Sequence, residues 1–275
     1  MKLSARGKVI EFGSRPLIMG IVNLCADSFS GDGFVDLDRA LAHARALLAD
    51  GADMIDIGAE SARTNRAAMS EEEEARSLCA FIRAWDGPGL LSINTWRAGV
   101  AREALATGGH LLNDLSGLPT DENARTCAET GAALLIMHTA GEPKVPQRHV
   151  QYDDILVHVE AFFAAKIALA ERAGASGDAI VLDPGLDFAK QRDDNLRILR
   201  ELPRLRQFHR PLLLPISRKT FIGEVLGIES PAERDAGTVA CAVHAMLGGA
   251  SILRVHNVRA VVQATRIVEA VEAAG

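Results

Sequence analysis

The stretch AIVLDPGLDFAK, residues 179–190, decides how the chain reads. Ala179 to Leu182 run without alternation, with β-branched Ile180 and Val181 inside the run, and end on Asp183 before Pro184 and Gly185 stop them. An unalternated apolar run bounded by turn residues predicts a strand buried on both faces. A carboxylate at the carboxyl end of such a strand adds nothing to packing, so Asp183 is a candidate for chemistry.

Working outward, the same pattern recurs. Apolar runs end in polar groups at Asn23, at Asp56 with Glu60, at Asn94, Asn113, His138 and Asp183, at Ser217-Arg218-Lys219, and at Arg254 with His256. These are eight runs, separated by segments long enough for a helix. Alternating strands and helices imply a parallel sheet, and eight such units in one chain of 275 residues predict an α/β fold, a single-domain TIM (β/α)8 barrel. The carboxyl ends of barrel strands carry the active site, so the polar residues above are expected to converge on one mouth. His138 stays open between a hydrogen-bonded structural group and a functional one.

Local signals fill in the rest. GKVIEFGSRP near the start is expected to form a short N-terminal hairpin cap with a Gly-Ser turn, closing the bottom of the barrel. Ser70 before Glu71-Glu72-Glu73-Glu74 is a capping box with its acidic residues at the positive end of a helix, so that charge run is structural. Helices are expected at about 36–50, from Trp96 to Gly108, at 122–130, 151–173, 193–201 and 231–248. The loops CADSFSGDGF and GAESARTNRAAMS, after the first and second strands, are long and polar, as loops that carry function are.

Composition narrows the function classes. With 30 basic and 36 acidic residues the net charge is −6, so there is no basic footprint for nucleic acid. No apolar run reaches membrane-spanning length and the start MKLSARGKVIEFG lacks a signal-peptide core, so no membrane partner and a cytoplasmic location are expected. Four cysteines are scattered without metal or redox spacing. No GxGxxG or Walker loop is present.

Two kinds of group are therefore expected at the mouth. Asp183, Asn113 and Asn94 offer planar donors and acceptors suited to the edge of a flat heterocycle. Lys219, Arg254, Arg63 and His256 suit an anionic group such as a phosphate. The picture is a heterocycle deep in the barrel with an anionic tail near the seventh, eighth and first strands.

The segments IMGIVN with DSFS (18–30), GADMIDIGAES (51–61), LLNDLSG (111–117), IMH (136–138), IVLDPG (180–185), SRKTFIG (217–223) and ILRVH (252–256) resemble, in their order and spacing, the dihydropteroate synthase family. That resemblance implies a single pterin-binding domain over residues 1–275. It implies a transferase that joins 6-hydroxymethyl-7,8-dihydropterin diphosphate to 4-aminobenzoate with release of diphosphate, as a homodimer built on the late helices. By the same resemblance Asp183 and Asn113 bind the pterin edge, Lys219 contacts the ring, and Met137 and Phe188 belong to the substrate pocket. Arg254 and His256 bind the diphosphate, whose Mg2+ Asn23 coordinates, while Arg63, Ser217 and Arg218 shape the aminobenzoate end. Asp183, Lys219 and Asn94 stand where the reaction is carried.

The chain departs from the family pattern at several of these places. Cys25-Ala26 replaces Thr-Pro, Asn94 replaces Asp, Asp187 and Ala189 replace glycines, and Pro215 replaces a Gly. The alternative is a paralogue that binds a pterin but uses another acceptor or catalyses nothing. Detectable release of diphosphate separates the two.

Overall fold

The computed structural model describes residues 1–25, 33, 36–60, 69–145 and 150–274. Among them, β1 (Lys2–Ala5) and β2 (Lys8–Glu11) form an antiparallel hairpin. β3 (Leu17–Asn23), β4 (Met54–Gly58), β5 (Leu90–Asn94), β6 (Leu111–Asp114), β7 (Ala133–Met137), β8 (Ile180–Asp183), β9 (Leu213–Leu214) and β10 (Ile252–Val255) form one parallel sheet in the order β8-β7-β6-β5-β4-β3-β10-β9. A parallel bridge between Leu182 and Leu212, with Leu182 N–H donating to the Pro211 carbonyl at 2.9 Å, brings the ends of that order together. The barrel expected from the eight apolar runs is the fold observed.

The helices are α1 (Leu37–Ala49), α2 (Glu71–Ala84), α3 (Ala98–Thr107), α4 (Glu122–Thr130), α5 (Ile155–Arg172), α6 (Arg192–Arg200), α7 (Thr220–Leu226), α8 (Asp235–Leu247) and α9 (Val258–Glu272). α2 carries the expected capping box, Ser70 with Glu73. α5 starts at Ile155 rather than near 151 because Asp154 caps it, accepting from the Leu156 and Val157 amides at 2.9 and 3.2 Å. α7 was not expected from the pattern, and α8 is preceded by a single tight turn, Pro231–Arg234, where one helix was expected.

Alternation along the strands sets up the site. One face of each strand, with Ile18, Ile55, Ile57, Leu91, Ile93, Leu112, Ile180 and Leu182, packs on the helices. The other face points into the barrel and begins with Met19, Met54, Leu90, Leu111, Val181 and Ile252. Strand period two then places Asp56, Ser92, Asn94, Asn113, Asp183 and Arg254 on that same inner face, one or two layers nearer the mouth. The interior is thus apolar below and polar above.

The hairpin plugs the apolar end, with Leu3 and Ala5 fully buried against the inner-face residues. Its turn is at Arg6-Gly7, both at positive φ (48° and 76°), and not at the expected Gly-Ser. Two consecutive left-handed residues make the primed turn whose twist matches a hairpin.

Candidate active site

Asp56 organises one half of the mouth. Its side chain is fully buried on the inner face of β4, and four neighbours donate to it. Ser92 Oγ reaches Oδ1 from β5, in register with Asp56. Asn94 Nδ2 reaches Oδ2 at 3.4 Å, Asn113 Nδ2 reaches both oxygens at 3.2 and 3.3 Å, and Arg254 Nε reaches Oδ2 at 2.7 Å. One carboxylate therefore balances the guanidinium from β10, two strands away in the sheet, and orients both amides. Sequence reasoning placed Asp56 at a strand end but left it out of the candidate site. Its strand-end position in register with Ser92 was the available signal.

The consequence for the amides differs. With its nitrogen turned to Asp56, Asn113 presents Oδ1, which is buried and has no partner among the described residues. A buried acceptor left without a hydrogen bond costs about 1–3 kcal/mol, so this oxygen is set to receive a donor from outside the protein. Asn94 donates to Asp56, a role an ionised Asp could not fill.

The other half of the mouth lies on β7, β8 and the start of α7. Asp183 is 2 % exposed and its Oδ1 accepts from the Gly185 amide at 2.7 Å. Burial pushes its carboxyl up to about 6, against the pull of that amide, Lys219, Lys190 and Arg254. Gly185 has no room for a side chain, because a Cβ there would overlap the His138 carbonyl. Met137, fully buried, stands opposite Asp183 in the β7–β8 register.

Lys219 reaches over from the start of α7. Its Nζ donates to the Leu186 carbonyl at 2.7 Å and stands 4.8 Å from the centre of the Phe188 ring. Burial lowers its pKa, while Asp187 and Asp183 pull the other way. The structure thus brings Asp183, Lys219, Phe188 and Met137 to one side of the mouth.

His138 proves structural. It is fully buried, Nδ1 meets Lys190 Nζ at 2.8 Å and Nε2 meets His158 Nδ1 at 2.9 Å. Burial, with Lys190 beside it, lowers its pKa to about 2, so the ring is neutral. Lys190, which sequence reasoning missed, donates also to the carbonyls of His138 (3.2 Å) and Phe188 (2.9 Å). Burial lowers it to about 7. These three acceptors among the described residues are uncharged, and together they tie the loop carrying Phe188 to the end of β7. The signal for Lys190 was a lysine inside an otherwise strand-and-turn stretch.

The remaining expected residues sit around the rim. His256 Nδ1 and Ser217 Oγ are 2.8 Å apart, and Ser217 Oγ also accepts from the His256 amide at 3.2 Å. Arg218, at φ 58°, forms a fork with Asp235 on α8 at 2.8 and 3.2 Å, and its amide donates to Thr238 Oγ1. Asn23 ends β3 beside Gly58. Arg63, with Asp27 and Asp32 of the first polar loop, lies outside the described residues. Glu60 at the end of β4 pairs with Lys144 of the β7–α5 connection and accepts from the Met69 amide at 2.6 Å.

Asp183, Asn113, Asn94 and Arg254 thus converge on the carboxyl-end mouth of a TIM barrel, the end at which enzymes of this fold carry their active sites. The profile of the family described as pterin binding enzyme matches residues 19–256. The dihydropteroate synthase of Escherichia coli (strain K12) is 38% identical over 278 residues, covering 98% of this chain and 96% of that protein. The crystal structure of the Yersinia pestis dihydropteroate synthase with a sulfonamide drug complex superposes with a TM-score of 0.93 at 39% identity, covering 100% of both chains. The Xanthomonas albilineans dihydropteroate synthase in complex with 7,8-dihydropteroate superposes with a TM-score of 0.86 at 34% identity, covering 99% of this chain and 98% of that one. The chain belongs to the dihydropteroate synthase family of pterin binding enzymes.

Proposed function

We propose that this protein is a dihydropteroate synthase, a transferase of folate biosynthesis acting as one cytoplasmic domain over residues 1–275. It condenses 6-hydroxymethyl-7,8-dihydropterin diphosphate with 4-aminobenzoate to give 7,8-dihydropteroate and diphosphate. The observation that carries this reading is Asn113 Oδ1, without a partner among the described residues and buried in the same mouth as Asp183 and Lys219.

The amino-pyrimidinone edge of a pterin carries adjacent N–H donors. Asp183 accepts them, which stabilises the ionised carboxylate that burial disfavours, and Asn113 Oδ1 accepts a further donor. Phe188 and Met137 flank the ring, and Lys219 donates to it while its ammonium lies over Phe188. Asn94 holds the pocket wall through Asp56. As the C–O bond to diphosphate breaks, Arg254 and His256 hold the leaving anion, and the electron-rich pterin carries the positive charge on the exocyclic methylene. The aniline nitrogen of aminobenzoate attacks that carbon and then loses a proton. Ser217, Arg218 and Arg63 frame the aminobenzoate end.

Among the described residues no cluster of three or more His, Cys, Asp and Glu side chains could hold a metal. This donor set fits Mg2+ only as an ion that arrives on the diphosphate, because Mg2+ keeps waters and substrate phosphates as its main ligands. Asn23 would supply one amide oxygen to it, and the bound ion would neutralise developing charge on the leaving group. We further propose a homodimer: Leu226, Leu247, Ile267 and Val271 leave apolar surface exposed on α7, α8 and α9. Among the described residues no helix is long and apolar enough to cross a membrane.

The test is calorimetry with the pterin diphosphate and Mg2+, followed by 4-aminobenzoate and an assay of released diphosphate. Binding with release is expected. Binding without release would move the function to another acceptor or to none, and no binding would sink the pterin reading. In the same assay Asp183→Ala is expected to remove pterin binding, and normal binding by that variant would show the pocket to be misplaced.

A further inference from the structure

Helix α7 starts without a cap of its own. Lys219 occupies the N-cap position and makes no capping hydrogen bond with its side chain, yet the first two amides of the helix are satisfied. Thr220 N–H donates to Asp187 Oδ2 and Phe221 N–H to Asp187 Oδ1 at 3.4 Å. Asp187 belongs to the connection between β8 and α6, far upstream in the chain.

That placement is held from both ends. Asp187 lies at φ 68°, where a residue with a side chain is strained. Asn195, 1 % exposed on α6, keeps it there: Asp187 N–H donates to Asn195 Oδ1 at 2.8 Å, and Asn195 Nδ2 donates to Asp187 Oδ1 at 3.3 Å. In the opposite direction Lys219 Nζ crosses to the Leu186 carbonyl and lies over Phe188. The loop and the helix start therefore grip each other on either side of the active-site lysine.

We propose that Asp187 is a positioning residue for Lys219, capping α7 from a separate loop so that Lys219 and Phe188 are placed on the pocket as one unit. This rests on the synthase reading of the site. A carboxylate on free N-terminal amides is favoured both as a cap and by the helix dipole. Its charge also supports the Lys219 ammonium. Asp187 and Asp183 favour that charge, from the loop and from β8; Arg254 on β10 and burial oppose it, and Lys190 is a further nearby cation.

Two variants separate position from charge. Asp187→Gly removes the carboxylate while suiting the positive φ; Asp187→Asn tolerates that φ and keeps one acceptor oxygen without the charge. In steady-state assays across neutral to alkaline pH, Asp187→Gly is expected to raise KM for the pterin diphosphate about tenfold and leave kcat within about twofold. The alkaline limb of kcat/KM is expected to move to lower pH, because the ammonium has lost the carboxylate that supports it most. Asp187→Asn is expected to restore most of the KM while keeping the displaced limb. An unchanged KM and limb in Asp187→Gly would overturn the proposal, as would equal losses of kcat, KM and thermal stability in both variants. If the wild-type protein shows no turnover, the synthase reading fails instead, and the same comparison is read from the affinity for the pterin diphosphate.

Discussion

The Asp56 side of the mouth and the Asp183 side hold buried charge in opposite ways. Around Asp56 the charge is matched: one carboxylate takes a guanidinium, two amides and a hydroxyl. Around Asp183 it is not. Among the described residues the carboxylate has one backbone amide, Lys190 rests on uncharged acceptors, and burial moves both groups toward neutrality. In the first half the charge is matched before substrate arrives, and what it holds open to a ligand is the neutral acceptor Asn113 Oδ1. The second half is short of donors for its carboxylate, which is how a pocket stores affinity for a ligand with N–H groups.

The largest effect is expected from breaking the matched half. Asp56→Ala leaves Arg254 without its buried partner and releases Asn94, Asn113 and Ser92 together. A loss of about 3–5 kcal/mol is expected from removing one partner of a buried pair, to be read from denaturant unfolding at neutral pH. A loss below about 1 kcal/mol, within the range of an exposed pair, would show that Asp56 is not the hub.

Next comes the unmatched half, where the sign reverses. The folded pKa of Asp183 is raised, to about 6 from 3.8, so the folded state favours the protonated acid. The cost to stability is full above the folded value and is relieved as pH falls through it toward the unfolded value. Asp183→Asn removes the charge and is expected to stabilise the ligand-free protein by about 3 kcal/mol at alkaline pH. The gain should fade as pH drops from about 6 to about 4, as thermal unfolding across that range would register. A gain that grew toward low pH would contradict the unmatched-carboxylate account. Pterin binding should correspondingly release protons near pH 6 and few at pH 8, as calorimetry in buffers of different ionisation enthalpy would show.

The smallest effect is expected at Asn94. Asn94→Asp would set a second carboxylate beside Asp56 where a donor now sits, raising the pKa of the new acid. The cost is expected to be about 1–2 kcal/mol above that raised value, with Arg254 offsetting part of it, and to be recovered as pH falls through it. Stability unaffected by pH in that variant would mean that Asn94 and Asp56 are not coupled. Its turnover would also report whether the amide at this position limits the reaction.

The barrel was readable because strand burial and strand period are local. Runs such as IVLD and LLSIN carry their own signal, and the capping box at Ser70 lies within one turn of helix. Asp183, Asn113, Asn94 and Arg254 could be placed at the mouth for the same reason. The Asp56 hub could not, since Arg254 joins it from 198 residues away. α7 escaped notice because its cap comes from Asp187, in another loop, and the hairpin turn was misassigned because Gly-Ser gives a stronger turn signal than Arg-Gly.

The amino-acid sequence alone determined the eight-unit barrel and the end at which its polar groups gather, because hydrophobic period and strand termination are written in neighbouring residues. Only the tertiary structure decided which of those polar groups are already paired and which are waiting. It turned His138 into a neutral strut for Lys190, faced Arg218 toward Asp235, and left Asn113 Oδ1 without a partner among the described residues. Pairing of buried charge depends on distances between strands remote in the chain, and closure of the barrel is what sets them.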